Sequence, residues 1–367
     1  MPRALTNRLR DHFDWALVLA TLAIAIVGVV NLYSATVRVH TWAPVAQIYW
    51  LMIGAGVAAF VASIDYRHFE RYGYVLYAGG IVLLLLVLVA GRTIRGSQRW
   101  LFLGGVGIQP SEIMKVLLVV ALAKYFHDEP RHGGKSLRDL LVPAALAAVP
   151  VFFVLRQPNL GTALVLILVA VTILVLARLR LRSFFSLVAI GVGLAPVIWA
   201  YGLRDYQRER VLGFLNPTSD ALGSGWHARQ SMVAIGSGMW TGKGFLQSTQ
   251  NQNAFLPDQN TDFPFPIWAE EHGFLGSVAL LGLYLFLVLW AIRIASLAKD
   301  RFGVVCSIGI ASILFWQVVV NMGMVTGMLP VAGVTLPLFS YGGSSMIATM
   351  MGIGLLLNIS MRRYRFP

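Results

Sequence analysis

Long apolar runs constrain this chain more than any other feature. Trp15 to Val30, Gly73 to Ala90, Leu160 to Ala177, Phe274 to Ile292 and Val304 to Gly323 are almost free of charge. A helix of about 20 residues crosses roughly 30 Å of hydrocarbon. In lipid each backbone N–H and C=O needs a partner within its own segment, so such runs must be helical. A buried helix of a soluble core would account for one of them, not for many. The composition agrees, with 57% apolar and 12% charged residues and a mean hydropathy of +0.71. The expected fold is an all-α integral membrane protein.

Ten spans are predicted, at roughly 14–35, 44–63, 73–90, 110–127, 138–155, 160–178, 183–201, 266–292, 304–325 and 341–361. Glu112, Lys115 and Lys124 interrupt the pattern of the fourth. The first run is too long for the apolar part of a cleaved signal and lacks a small-residue cleavage site. The formal net charge of +13 does not point to nucleic acid. Most basic residues lie in clusters on alternate loops: Arg3, Arg8 and Arg10; Arg67 and Arg71; Arg131, Lys135 and Arg138; Arg178, Arg180 and Arg182; Arg293, Lys299 and Arg301; Arg362, Arg363 and Arg365. The positive-inside rule then places both termini in the cytoplasm. Cys306, the single cysteine, has no partner in the chain for a disulfide. The scattered histidines form no zinc motif.

One connection is long. Residues 202–265 join the seventh and eighth expected spans on the outer side; loops of this length are usually functional or disordered, and this one is not low-complexity. Residues 226–236 within it read as a short interfacial helix. No separate soluble domain is evident, so 1–367 reads as one membrane domain. His132 to Ser136, HGGKS, lacks the first glycine and the strand of a phosphate loop and reads as a turn.

Four polar stretches carry chemistry. Glu112 and Lys115 stand three apart, on one helix face; they either settle helix packing or line a cavity and touch substrate. Arg99, in GSQRW with Arg92 and Arg95 nearby, fits lipid headgroups or an anionic ligand. Ser340 to Ser345, SYGGSS, opens the last span and fits an anion or close helix packing. The fourth stretch is FLPDQNTDFPFP, Phe255 to Pro266. Asp258, Asp262, Glu270 and Glu271 are a quarter of the 16 acids. Pro264 and Pro266 suggest a helix start, which makes Thr261 or Asp262 a candidate cap. A cap explains one acid only. The alternative is a carboxylate acting as general base or cation ligand.

These stretches, with RQPNLGTA (156–163), FLNPTSDALGSGWHARQSMVAIGSG (214–238), AEEHGFLG (269–276) and GMLPVAGVTLPLFSYGGSS (327–345), resemble the SEDS family of shape, elongation, division and sporulation proteins. FLNP, His227 and GKG resemble its elongation branch. The resemblance implies a peptidoglycan glycosyltransferase of the inner membrane that polymerises lipid II on the outer face during cell elongation. It implies inversion at the anomeric carbon and an undecaprenyl-pyrophosphate-linked glycan as donor. Implied partners are a class B penicillin-binding protein, which crosslinks the glycan, and other elongation-complex membrane proteins. The family's essential aspartate, in LPxxHTDF, carries over to Asp262. Arg99, Lys115 and Arg210 are then candidates for the pyrophosphate, and Glu112, Lys243, Ser340 and Ser344 for other substrate contacts. Mg²⁺ or Mn²⁺ bound through Asp262 or a neighbouring acid is a further expectation. Glu270 and Glu271 are expected to orient the loop or pair with its arginines. The chain departs from the family pattern at Asp258, Asn260, Asn159 and Thr335, and neither asparagine is assigned a catalytic role. Rival functions are a flippase for the lipid-linked precursor and a scaffold for the penicillin-binding protein.

Overall fold

The apolar runs do form helices. The computed structural model describes residues 13–37, 41–94, 97–104, 106–129, 138–176, 211–214, 224–249 and 260–363, with isolated positions 186, 189, 193, 196, 200 and 208. The helices are α1 (Trp15–Thr36), α2 (Ala43–Ser63), α3 (Tyr66–Arg71), α4 (Gly73–Ala90), α5 (Pro110–Asp128), α6 (Leu141–Arg156), α7 (Leu160–Leu176), α8 (Ser224–Ser237), α9 (Pro264–Ser296), α10 (Arg301–Val325) and α11 (Gly343–Arg362). Six of these, α1, α2, α4, α9, α10 and α11, are long and apolar enough to cross a membrane, and α6 and α7 are shorter apolar helices. The chain is a multi-pass membrane protein. The expected seventh span, 183–201, lies outside the described residues except for isolated positions.

α5 is the hub. It packs against α4, α7, α10 and α11. Met114, Leu118, Val119 and Leu122 are fully buried there. Its charges do not break the helix because they are paired: Lys115 Nζ lies 2.9 Å from Glu112 Oε2, and Lys124 Nζ 3.1 Å from Asp128 Oδ2. The approach of α10 is close. A Cβ on Gly309 would stand 2.4 Å from a Val119 methyl, so only glycine fits.

The connection between α4 and α5 holds something the hydropathy pattern did not show. Strands β1 (Arg92–Ile94), β2 (Ser97–Leu103) and β3 (Val106–Ile108) form an antiparallel sheet in the order β1-β2-β3. Arg92 faces Trp100, and Phe102 faces Gly107. The aromatic and branched residues of SQRWLFL favour a pleated, half-buried surface. β2 packs on α4 and α5.

At the opposite end, polar side chains tie the helices together. The Asp14 carboxylate accepts from Leu17 N at 3.3 Å, Trp290 Nε1 at 2.8 Å and Ser360 Oγ at 2.9 Å. Buried Arg362 donates to Asn358 Oδ1 at 2.5 Å, Ala62 O at 3.0 Å and Ser63 O at 3.1 Å. Tyr66 Oη donates to Asp300 Oδ2 at 2.6 Å. Burial, and then that carboxylate, push the Tyr66 phenol well above its ordinary range.

The long connection does carry a helix, α8, slightly longer than expected. It packs on α9 and α10 rather than lying free. Ser231 Oγ donates to Val325 O at 2.5 Å, and Ala234 is buried with Ala35 and Ile267.

Candidate functional site

Asp262 sits where a turn feeds α9. Phe263 occupies the cap position without a side-chain cap bond, and proline follows. The cap reading for Thr261 or Asp262 therefore falls away; the prolines themselves remove N–H groups that would need a cap. The turn is fixed from two sides. Tyr341 N donates to Asn260 O at 2.8 Å. Asn321 Nδ2, from α10, donates to Asp262 O at 3.0 Å and to Val334 O at 2.7 Å. Gly333, with φ +68°, leaves room beside the carboxylate: a Cβ there would meet Asp262 Oδ2 at 3.4 Å.

The Asp262 side chain borders a cavity of about 480 Å³. Its walls come from β2 (Arg99, Trp100), α5 (Glu112, Lys115), the α7 start (Asn159, Thr162), Gly333 to Thr335, and the α11 start (Gly342, Ser344, Ser345). The starts of α5, α7, α9 and α11 thus converge on one space. Helix N-termini carry partial positive charge and unpaired N–H groups, which favour anions. The Glu112–Lys115 pair is buried in the wall at 2.9 Å. Arg99 Nε donates to Gln157 O at 3.2 Å, and its Nη2 donates to Pro158 O. Ser344 Oγ accepts from Gln109 N at 2.8 Å. Thr335 and Ser345 share a hydroxyl hydrogen bond of 2.9 Å. Asn159 Oδ1 accepts from Thr162 N at 3.4 Å, capping α7.

Of the residues singled out from sequence, Asp262, Arg99, Glu112, Lys115 and Ser344 share this cavity. Two others do not line it. Ser340 is buried; its Oγ accepts from Leu336 N at 2.8 Å and its carbonyl accepts from Gln47 Nε2 at 3.0 Å. Lys243 Nζ lies 2.6 Å from Glu270 Oε1. Glu270 is fully buried and also accepts from Ser248 Oγ, Thr249 N at 3.0 Å and Thr249 Oγ1 at 2.8 Å. Glu271 accepts from Ser34 Oγ. Glu270 thus holds the loop through Lys243, Ser248 and Thr249, in keeping with the loop-orienting alternative expected for these acids. Arg210 and Asp258 lie outside the described residues. Among the described residues no three His, Cys, Asp or Glu side chains gather as a cation site. A cation at Asp262 would therefore need oxygens of a bound ligand as well, which is how Mg²⁺ is often held at phosphates.

The loop and the helix break complete each other. α9 is interrupted at Gly273, with φ +64° and ψ −160°. The groups freed by the break are taken up by the 238–244 turn. Lys243 N donates to Glu270 O at 2.9 Å and Gly244 N to Glu271 O at 3.0 Å. Phe274 N donates to Met239 O at 2.8 Å and Leu275 N to Trp240 O at 3.1 Å.

Sequence reasoning missed Asn321, Gln109, Trp100 and the Thr335–Ser345 pair. Asn321 did leave a trace, as an amide within the apolar run 304–323; polar groups at membrane depth are costly and tend to be functional.

The chain as a whole has known relatives. A family model described as "Cell cycle protein", FtsW/RodA/SpoVE, matches residues 14–365. Peptidoglycan glycosyltransferase MrdB of Escherichia coli (strain K12) is 38% identical over 352 residues, covering 96% of this chain and 94% of its own length. Stage V sporulation protein E of Bacillus subtilis (strain 168) is 36% identical over 361 residues, with 95% and 96% covered. A chain of the solved structure "Structural coordination of polymerization and crosslinking by a peptidoglycan synthase complex" superposes with a TM-score of 0.83 at 36% identity, covering 96% of this chain and 99% of that one. The rod shape determining protein RodA of Thermus thermophilus gives a TM-score of 0.71 at 32% identity, with 96% and 98% covered. With the family model and these relatives matching nearly end to end, the chain belongs to the FtsW/RodA/SpoVE family of cell cycle proteins, the SEDS family its motifs resemble.

Proposed function

We propose that this chain is a peptidoglycan glycosyltransferase that polymerises lipid II on the outer face of the cytoplasmic membrane, with Asp262 as general base. The observation that carries the reading is the meeting, in one cavity, of Asp262, the Glu112–Lys115 pair, Arg99 and four helix starts. The acceptor sugar hydroxyl gives its proton to the Asp262 carboxylate as its oxygen attacks the anomeric carbon of the donor glycan. The bond from that carbon to the undecaprenyl pyrophosphate breaks on the opposite side, so configuration inverts. One carboxylate suffices, because a single displacement needs no enzyme nucleophile. Lys115, Arg99 and the helix starts face the charge that grows on the departing pyrophosphate, where such contacts lower the barrier most. Mg²⁺ or Mn²⁺ entering with the pyrophosphate would be held by Asp262 and would supply further positive charge. The partner in this reading is a class B penicillin-binding protein, and both termini of the chain are cytoplasmic.

The test is lipid II polymerisation by the purified complex with its penicillin-binding partner, whose transpeptidase is blocked. Wild type is compared with Asp262→Ala and Asp262→Asn, with and without EDTA. Loss of a general base costs about 10²–10⁴ in rate. Chains made at the wild-type rate by both variants, in intact complexes, would sink the base assignment and leave the flippase and scaffold readings.

A further inference from the structure

We propose that Asn321 is a positioning residue for Asp262, resting on the reading of Asp262 as base. Asn321 lies within α10, fully buried, and does not border the cavity. Its amide nitrogen spans two segments far apart in the chain. One N–H reaches the carbonyl of Asp262 at 3.0 Å, the other the carbonyl of Val334 at 2.7 Å. Gly333, next to Val334, is the glycine that faces the Asp262 carboxylate, and Thr335 follows in the cavity wall.

An NH₂ group with two donors is what two converging carbonyls require. Phe263 occupies the cap position of α9 and makes no side-chain cap bond. The main-chain tie from α10, beside the Tyr341 N to Asn260 O bond, holds the 260–262 turn against the opposite wall. A displacement of about 1 Å at a catalytic group can cost about a hundredfold in rate. Because Asn321 touches no lining space itself, its loss should act on the chemical step and spare substrate binding.

The experiment uses the full chain in complex with its penicillin-binding partner and measures initial rates of lipid II polymerisation per folded complex. Asn321→Leu removes both donors at similar volume; Asn321→Ala does so where the leucine variant folds poorly. The expected result is a fall in kcat of about tenfold to a hundredfold, with KM for lipid II within about twofold. The same substitution is made on Asp262→Glu, whose carboxylate is already displaced; there the further loss should be much smaller. An unchanged kcat, or a loss carried by KM, or equal losses in both backgrounds, would overturn the positioning role. Full activity of Asp262→Asn would instead overturn the base reading, a different and separable failure.

Discussion

Removing one half of the Glu112–Lys115 pair separates its structural from its chemical role. The two side chains lie 2.9 Å apart and are 3% and 9% exposed, the lysine being the more buried. Glu112→Gln leaves the Lys115 ammonium buried without its counter-ion, and Lys115→Met leaves the carboxylate in the same state. Breaking a buried pair from one side typically costs about 3–5 kcal/mol, whereas replacing both partners with neutral groups is often close to neutral. An unfolding entropy of roughly 2.1 cal/mol/K per residue over 367 residues turns about 3 kcal/mol into a melting shift of about 4 °C. Each single variant should therefore melt several degrees below wild type, and Glu112→Gln with Lys115→Met should recover most of that loss. Polymerisation should behave otherwise. All three variants should lose at least about tenfold in rate per folded molecule, because Glu112 and Lys115 line the cavity proposed to hold the reacting groups. The assay is thermal unfolding of the purified complex beside chain synthesis from lipid II. A double variant that recovers both stability and activity would refute the chemical role and reduce the pair to helix packing.

Gly273→Ala should destabilise the protein by about 3 kcal/mol or more, since φ +64° with ψ −160° suits only glycine and a Cβ would stand 2.4 Å from Gly242 N; a melting curve like that of wild type would show that the helix break is not enforced there. Lys243→Met should cost about 1–3 kcal/mol, less than for a fully enclosed pair because the lysine side chain is 30% exposed. Its activity per folded complex should stay within about twofold. Loss of activity with unchanged melting would instead return Lys243 to the substrate-contact role its sequence position suggested.

The helices were legible because each apolar run is its own evidence. α4 falls at Gly73–Ala90, the expected 73–90, where the chain turns at Tyr72 and Gly91. α5 was harder to read, and survives as one helix because its charges pair within it. The small sheet was not legible. β1 and β3 have three residues each, too short for alternation to show, and their partners are set by cross-strand register. The helix in the long connection was visible from its local pattern, but its burial against α9 and α10 was not.

The site divides in the same way. Asp262, Glu112, Lys115, Arg99 and Ser344 stand out in an apolar chain because any polar group there is conspicuous. What each one faces is not local information. Lys243 and Ser340 are as conspicuous, yet they are spent on Glu270 and on Leu336 N. Asn321 meets Asp262 across 59 residues and Val334 across 13, so nothing near it in sequence states its role. The same holds for the field in the cavity. Pro110, Asn159, Pro264 and Gly342 each announce a helix start separately. Only the packing of α5 against α7, α10 and α11 brings those starts to one space. The hydrogen-bonding demand that makes every span a helix also leaves the positive end of a dipole at each helix start. A bundle that gathers several starts at one cavity thereby concentrates positive potential where, in the proposed reaction, a pyrophosphate would leave, with a single carboxylate at the edge of that field to take the proton.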